Sequence, residues 1–315
     1  MSVLLLWSRI EQIEVCMNLT VFEPNENICG SLKIPMLDGL EKLEHALARY
    51  RTSKAVRSGT TIIAFTYHDG VLMAADRQTS AGFRVWSPEA VKIHMVSPMS
   101  LWGAAGLVAY IQETHEMLMR LIDVFENYLE KELPISAQGK LLNKILQANA
   151  SSLSYLGFLL GYVAVPILAG WDTERDEPKI FAYDDVGGIY DVTERTSQFA
   201  TVGSGGESAE SVLQDRWTNG INEEAAIRLA IRALLRAGEI DLGTSDARIA
   251  PVTLFMVRRG SHAAVSLSEQ SALQIAYEIF QNDLRGRKDP RSKFFVLEQK
   301  KGRPVNNHNK KGGAA

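Results

Sequence analysis

Hydrophobic and polar positions divide this chain into a loosely patterned leader and a core of alternating strand-like and helix-like runs. From Thr60 onward the apolar residues gather in short unbroken stretches. Residues 61–67 and 71–76 flank His68-Asp69-Gly70, which reads as a β-hairpin. A second strand pair is expected over 83–86 and 91–96, then a strand over 100–105. Helical spacing follows from 108 to 133 and from 137 to about 158. Strands return at 165–170, 179–183 and 189–192, with Gly187-Gly188 making the last turn. Helices are expected over 207–216 and 223–237, a strand over 251–257 and a helix over 272–283. Such an order predicts antiparallel sheets packed on each other and sandwiched between helix layers.

The pattern before Thr60 is different. Pro24, Gly30, Pro35 and Gly39 interrupt it, and only residues 40–50 place apolar side chains at helical spacing. The apolar run from Met1 to Trp7 stops at Ser8-Arg9, short of the roughly 7–15 apolar residues of a secretory core. A second apolar stretch, 145–171, has no charge and could in length cross a bilayer core of about 30 Å. Gln147, Asn149 and three serines crowd its start, and Pro166 interrupts its end. It reads as a buried helix running into a buried strand, and a cytoplasmic protein is expected.

Composition narrows the function classes. Among 315 residues 46% are hydrophobic, which excludes a wholly disordered chain. The total charge is −3. Residues 1–59 sum to zero and residues 285–311 to +8, which leaves −11 on residues 60–284. A dedicated nucleic-acid binder would be strongly basic instead. The basic 285–315 segment is expected to be solvated, or to lie on an acidic neighbouring subunit. Two cysteines, Cys16 and Cys29, supply neither a disulfide framework nor a structural zinc site.

No phosphate-loop lysine, GxSxG, HExxH or paired CxxC occurs. Gly203-Ser204-Gly205-Gly206 precedes a helix but lacks the residues that would make it a phosphate site. His68, His94, His115 and His262 have no ligand spacing and are expected to be surface or packing residues. The junction Ser58-Gly59-Thr60-Thr61 is more informative. Cutting between Gly59 and Thr60 would place a hydroxyl and a free α-amine on one residue. With a pKa of about 7.7–8 that amine suits a general base near neutral pH. Thr60 would then be a self-activated nucleophile, silent while its nitrogen remains an amide. Asp76, ending the second strand, and Lys92, in the next pair, could supply a fixed charge beside it. Gly106 offers an unobstructed backbone N–H for an oxyanion. Each of these residues taken alone has an ordinary structural explanation.

Together they resemble a bacterial 20S proteasome β subunit, a threonine peptidase with the N-terminal nucleophile hydrolase fold. The resemblance runs from about Ser58 to Gln281. It rests on Gly59-Thr60-Thr61, Met73-Ala74-Ala75-Asp76-Arg77, Val91-Lys92-Ile93 and Gly103-Ala104-Ala105-Gly106, and continues through Leu168-Ala169-Gly170-Trp171-Asp172, Val202-Gly203-Ser204-Gly205 and Asp241-Leu242-Gly243-Thr244. The intervals of 16, 16 and 14 residues from Thr60 to Asp76 to Lys92 to Gly106 agree with that family without a gap.

The resemblance implies an α+β fold, a four-layer αββα sandwich. It implies a leader, 1–59, removed by self-cleavage at Gly59-Thr60, and a catalytic domain over 60–284. Thr60 resembles the nucleophile, Asp76 and Lys92 its activating pair, and Gly106 the oxyanion donor. Ser204, Asp241 and Thr244 resemble the group that holds the threonine's amine and a water. Thr79 and Ser80 lie where substrate is added as a strand, and Val108 where the specificity pocket prefers alanine. No metal or cofactor is implied. The implied partners are α subunits, other β subunits in a heptameric ring, a ring ATPase and unfolded protein, with no membrane or nucleic acid. Gln78 stands in place of the usual arginine and Ser245 in place of a glycine, substitutions expected to soften the surroundings of the nucleophile. Alternatives are a catalytically silent ring subunit and a different N-terminal nucleophile amidohydrolase.

Overall fold

A computed structural model describes residues 59–81, 84–152 and 164–286. The leader before residue 59 and the basic segment after 286 lie outside the described residues, as does the expected end of the second helix near 158.

The first sheet is built on the hairpin read from the sequence, β1 (Thr61–Tyr67) and β2 (Gly70–Ala75). β3 (Thr79–Ala81) and β4 (Arg84–Ser87) form a separate two-stranded ribbon. β5 (Ile93–Ser97) and β6 (Ser100–Gly106) start the second sheet. Helices α1 (Val108–Leu129) and α2 (Ile135–Ser152) follow. β7 (Ala164–Asp172), β8 (Glu177–Tyr183) and β9 (Ile189–Asp191) complete the second sheet. β10 (Phe199–Gly203) then returns to the first sheet. Helices α3 (Gly206–Arg216) and α4 (Glu223–Ile240) lead to β11 (Thr253–Arg258), β12 (Val265–Ser266) and α5 (Glu269–Gly286). The strand orders are β10-β1-β2-β11-β12 and β5-β6-β7-β8-β9, each antiparallel throughout.

Strand parity explains the unbroken apolar runs. In β1, Ile62 and Ala64 face the second sheet and pack with Ile93, Leu101, Ala105 and Ile167. Ile63 and Phe65, on the opposite face, pack against Leu213, Leu229, Ala233 and Leu234 of α3 and α4. A strand buried on both faces has no polar side to alternate with. The second sheet does the same on its outer face, where Trp102, Leu168 and Phe181 meet Leu118, Ile122, Leu142 and Ile145 of α1 and α2. The result is the expected α+β sandwich of four layers.

Differences from the expected elements have local causes. α1 stops at Leu129, four residues early, because Glu130 takes a left-handed conformation (φ 52°). Pro134 keeps the preceding residue out of the helical region, and its carbonyl then accepts the first-turn N–H of Ala137 at 2.8 Å to begin α2. β10 was not expected from the pattern, since only Ala200 and Val202 of its five residues are buried. His94 and His115 pack with Trp102, their rings 4.7 Å apart, and burial holds both imidazoles below their usual range. His68 and His262 are exposed. Among the described residues no helix is long and apolar enough to cross a membrane, and no group of three or more metal-ligating side chains occurs.

Leu234 lies fully buried where α4 meets the first sheet. Leu234→Ala should lower stability by about 2–5 kcal/mol, read as a lower urea midpoint at unchanged slope.

Candidate functional site

The site forms where the ends of β1, β2 and β10 meet the start of β5 and the loop after α4. Asp76 lies one residue past β2 and is fully buried. Its backbone N–H donates to the Thr61 carbonyl at 3.1 Å, so the pairing of the hairpin itself fixes the carboxylate beside the start of β1. Oδ1 accepts from the Thr61 N–H at 2.8 Å and from Lys92 Nζ at 2.6 Å. Oδ2 accepts from the backbone N–H groups of Gln78 at 2.9 Å and Ser245 at 3.1 Å. Four donors therefore meet one buried carboxylate, which is what makes a charge tolerable away from water.

Lys92, just before β5, is also buried. Burial pushes its ammonium below the usual lysine range; the attraction and hydrogen bond of Asp76, and the more distant Asp241, oppose that shift without cancelling it. The same Nζ reaches the Gly59 carbonyl at 3.4 Å. Lys92 thus touches the acid on one side and the Gly59-Thr60 peptide on the other.

Thr60 is nearly inaccessible. Its backbone N–H donates to Ser204 Oγ at 3.3 Å, and Ser204 in turn donates to Asp241 Oδ2 at 2.6 Å. Thr244 also donates to Asp241 Oδ2 at 2.6 Å. Ser204 is delivered by β10, whose last residue, Gly203, pairs with Thr61. Gly203 has φ 97°, and a Cβ there would lie 2.0 Å from the Thr60 carbonyl oxygen, so no other residue fits. The Gly-rich run read from the sequence as a weak phosphate signal is explained by this approach to Thr60.

Three further side chains contribute in ways the sequence did not indicate. Thr61, which reads in sequence as a β-former, shares a 2.6 Å hydrogen bond with Thr244 through their hydroxyls. Because Thr244 spends its single proton on Asp241, Thr61 is the donor. Ser245 was expected to loosen the site. Instead its Oγ accepts from the Arg77 N–H at 3.3 Å while its own N–H holds Asp76. Gln78, the other substitution expected to soften the surroundings, donates through Nε2 to the Leu242 carbonyl at 3.0 Å. Each of the two side chains thus bonds a backbone group of a neighbouring loop.

The remaining candidates lie around this centre. Gly106 closes β6 with φ 141°, a conformation that glycine adopts freely. Val108, the first residue of α1, is 43% exposed. Thr79 and Ser80 lie on β3, which among the described residues pairs only with β4.

Comparison with known proteins agrees with this geometry. The proteasome subunit family matches residues 56–250, a span that takes in every residue from Thr60 to Ser245 described above. A proteasome subunit beta of Rhodococcus erythropolis is 32% identical over 233 residues, covering 70% of this chain and 75% of that one. One from Acidimicrobium ferrooxidans is 31% identical over 65% of this chain and 73% of its own length. One from Streptomyces griseus is 26% identical over 85% and 88%. The chain belongs to the proteasome subunit family, and these relatives are of the β type. It is thereby a subunit of a proteasome complex, an assembly of the peptide-hydrolase class.

Asp76→Asn should leave the Lys92 charge buried without its partner. A loss of about 3–5 kcal/mol is expected for breaking a buried pair on one side, measured by thermal and urea unfolding. Because Lys92 is held below its ordinary pKa, the unfolded chain binds the extra proton across the interval between the two values. Stability should therefore rise with pH through that interval, and Lys92→Met should remove the rise.

Proposed function

We propose that this chain is a threonine endopeptidase subunit that matures by cutting its own Gly59-Thr60 bond and then hydrolyses peptides of unfolded proteins. The observation that supports this most directly is the position of that bond. Its carbonyl lies at Lys92 and its nitrogen at Ser204, within one network of Asp76, Lys92, Ser204, Asp241 and Thr244.

In the first reaction the Thr60 hydroxyl oxygen bonds to the Gly59 carbonyl carbon. The carbon–nitrogen bond then breaks, and the hydroxyl proton ends on the departing nitrogen. Lys92 stabilises the negative charge that gathers on the carbonyl oxygen. Water hydrolyses the resulting ester, leaving a carboxylic acid on Gly59 and restoring the hydroxyl of Thr60. The chain now begins at Thr60, has 256 residues, and carries an amine that can act as base.

In the second reaction that amine takes the hydroxyl proton as the oxygen attacks a peptide substrate, and the Gly106 N–H faces the oxyanion. The amine returns the proton to the leaving nitrogen, and water releases the acyl group. An extended peptide adds alongside β3 through Thr79 and Ser80, with Val108 narrowing the pocket for its side chain. On this reading residues 1–59 are a removable leader, 60–284 the catalytic domain and 285–315 an appended basic segment. The particle is cytoplasmic, with heptameric β rings stacked on α subunits and a ring ATPase that feeds in unfolded protein. Neither reaction needs a metal or cofactor.

Intact mass and N-terminal sequencing of the assembled protein should find a chain beginning at Thr60. Thr60→Ala should retain residues 1–59 and hydrolyse no peptide while still assembling. For the mature protein kcat/KM should fall about tenfold per unit as pH drops below the amine's pKa of about 7.7–8, because the protonated amine accepts nothing. Full peptide hydrolysis by a chain that still carries its leader would overturn the reading.

A further inference from the structure

The Gly59-Thr60 bond is approached from a side that none of the hydroxyls and charges above occupies. A Cβ built on Gly59 would lie 2.0 Å from Gly243 Cα and 2.5 Å from the Gly243 carbonyl carbon and oxygen. Built on Gly243, it would lie 2.4 Å from Gly59 Cα. In both directions the obstacle is backbone, which cannot swing aside as the end of a side chain can. Neither glycine has a positive φ. What the pair requires is therefore space, and not a backbone conformation closed to other residues.

Each partner is anchored independently. Gly243 donates its N–H to Asp241 Oδ1 at 3.1 Å. The adjoining Leu242 carbonyl accepts from Gln78, and Thr244 N–H closes the turn on the Asp241 carbonyl at 3.2 Å. Gly59 is held by Lys92 through its carbonyl. The two backbones thus meet as a fixed stop against the residue whose carbonyl is to be attacked.

We propose that Gly243 is a positioning residue for self-cleavage: its bare backbone gauges residue 59, admitting glycine alone, and sets the scissile carbonyl at Lys92. This rests on the maturation proposed above and extends it to a residue that touches the leader's end and nothing of the mature chain's reacting atoms. One consequence concerns substrates. A peptide with any side chain at its scissile residue cannot take the seat of Gly59, so peptides cleaved later must present their carbonyl in a different pose. The geometry of maturation and that of substrate cleavage are then separable by mutation.

The test compares leader loss with peptide hydrolysis in the full-length chain. Gly59→Ala and Gly243→Ala should each slow the appearance of the Thr60 N-terminus, followed by intact mass, about tenfold or more, a spacing misfit of roughly one decade in rate. Hydrolysis of a fluorogenic peptide, expressed per chain that begins at Thr60, should be the same for Gly59→Ala as for the unaltered protein, because the substituted residue departs with the leader. For Gly243→Ala it should fall by less than about threefold, since a Cβ there meets Ser204 Oγ at 3.1 Å and Asp241 Oδ2 at 3.3 Å, contacts relieved by small shifts. In the double variant the two slowings should not multiply, because both act through one contact.

Leader loss at the unaltered rate in Gly59→Ala would overturn the proposal, and so would slowings that multiply. Gly243→Ala chains that mature slowly and are equally impaired per mature terminus would overturn it too, by placing Gly243 in peptide hydrolysis. If Gly243→Ala fails to fold, Gly59→Ala still decides, since it leaves the mature chain unaltered. An unaltered chain that never sheds its leader would instead remove the maturation scheme itself.

Discussion

One buried carboxylate organises the end of the molecule where the candidate site lies. Asp76 accepts from the first strand, from the turn it belongs to, from the loop after α4 and from Lys92. Three of those donors come from other segments, 15, 16 and 169 residues away in sequence, so a single ionised group fixes their relative positions. The cost of burying a charge makes the arrangement all-or-none: with three donors the carboxylate is under-satisfied, and with no lysine its charge is uncompensated. Specificity of geometry, more than net stability, is what such a group contributes.

The four layers exist to hold that end rigid. β1 and β2 are buried on both faces, between the second sheet and helices α3 and α4, so a one-residue slip would move every side chain fitted to one packed layer into the other. The register Ile62 with Ala75 places Asp76 opposite Thr61, and Gly203 opposite Thr61 on the other side brings Ser204 to Thr60. Catalytic-type geometry here is a property of strand pairing. Loops supply only the closing contacts.

That division decides what could be read from sequence. The hairpin and the helices were legible because they depend on local pattern, and the equal spacing of Thr60, Asp76 and Lys92 because it resembles that of a known family. β10 was not, since five residues with two buried side chains give too little periodicity. The role of Thr61 was hidden by its β propensity, and Ser245 and Gln78 looked like weakening substitutions because their partners are backbone groups of distant segments. Gly243 was invisible for the same reason: its constraint is a neighbouring backbone, and nothing in the residues around it announces one.

The direction of the hydrogen bonds has a consequence for the proposed base. Each hydroxyl has one proton to give. Ser204 gives its proton to Asp241, Thr244 does likewise, and Thr61 gives its own to Thr244, so every proton in the chain points toward one carboxylate. Ser204 can therefore only accept from the nitrogen of Thr60, as it does from the amide. Once that nitrogen is an amine, an accepting Ser204 orients one of its N–H bonds and leaves the lone pair uncapped from that side. A serine with its proton unspent would donate to the amine and quench it as a base. On the proposed reading, Asp241 thus leaves the nitrogen of Thr60 able to take a proton, by deciding which way the Ser204 hydroxyl points.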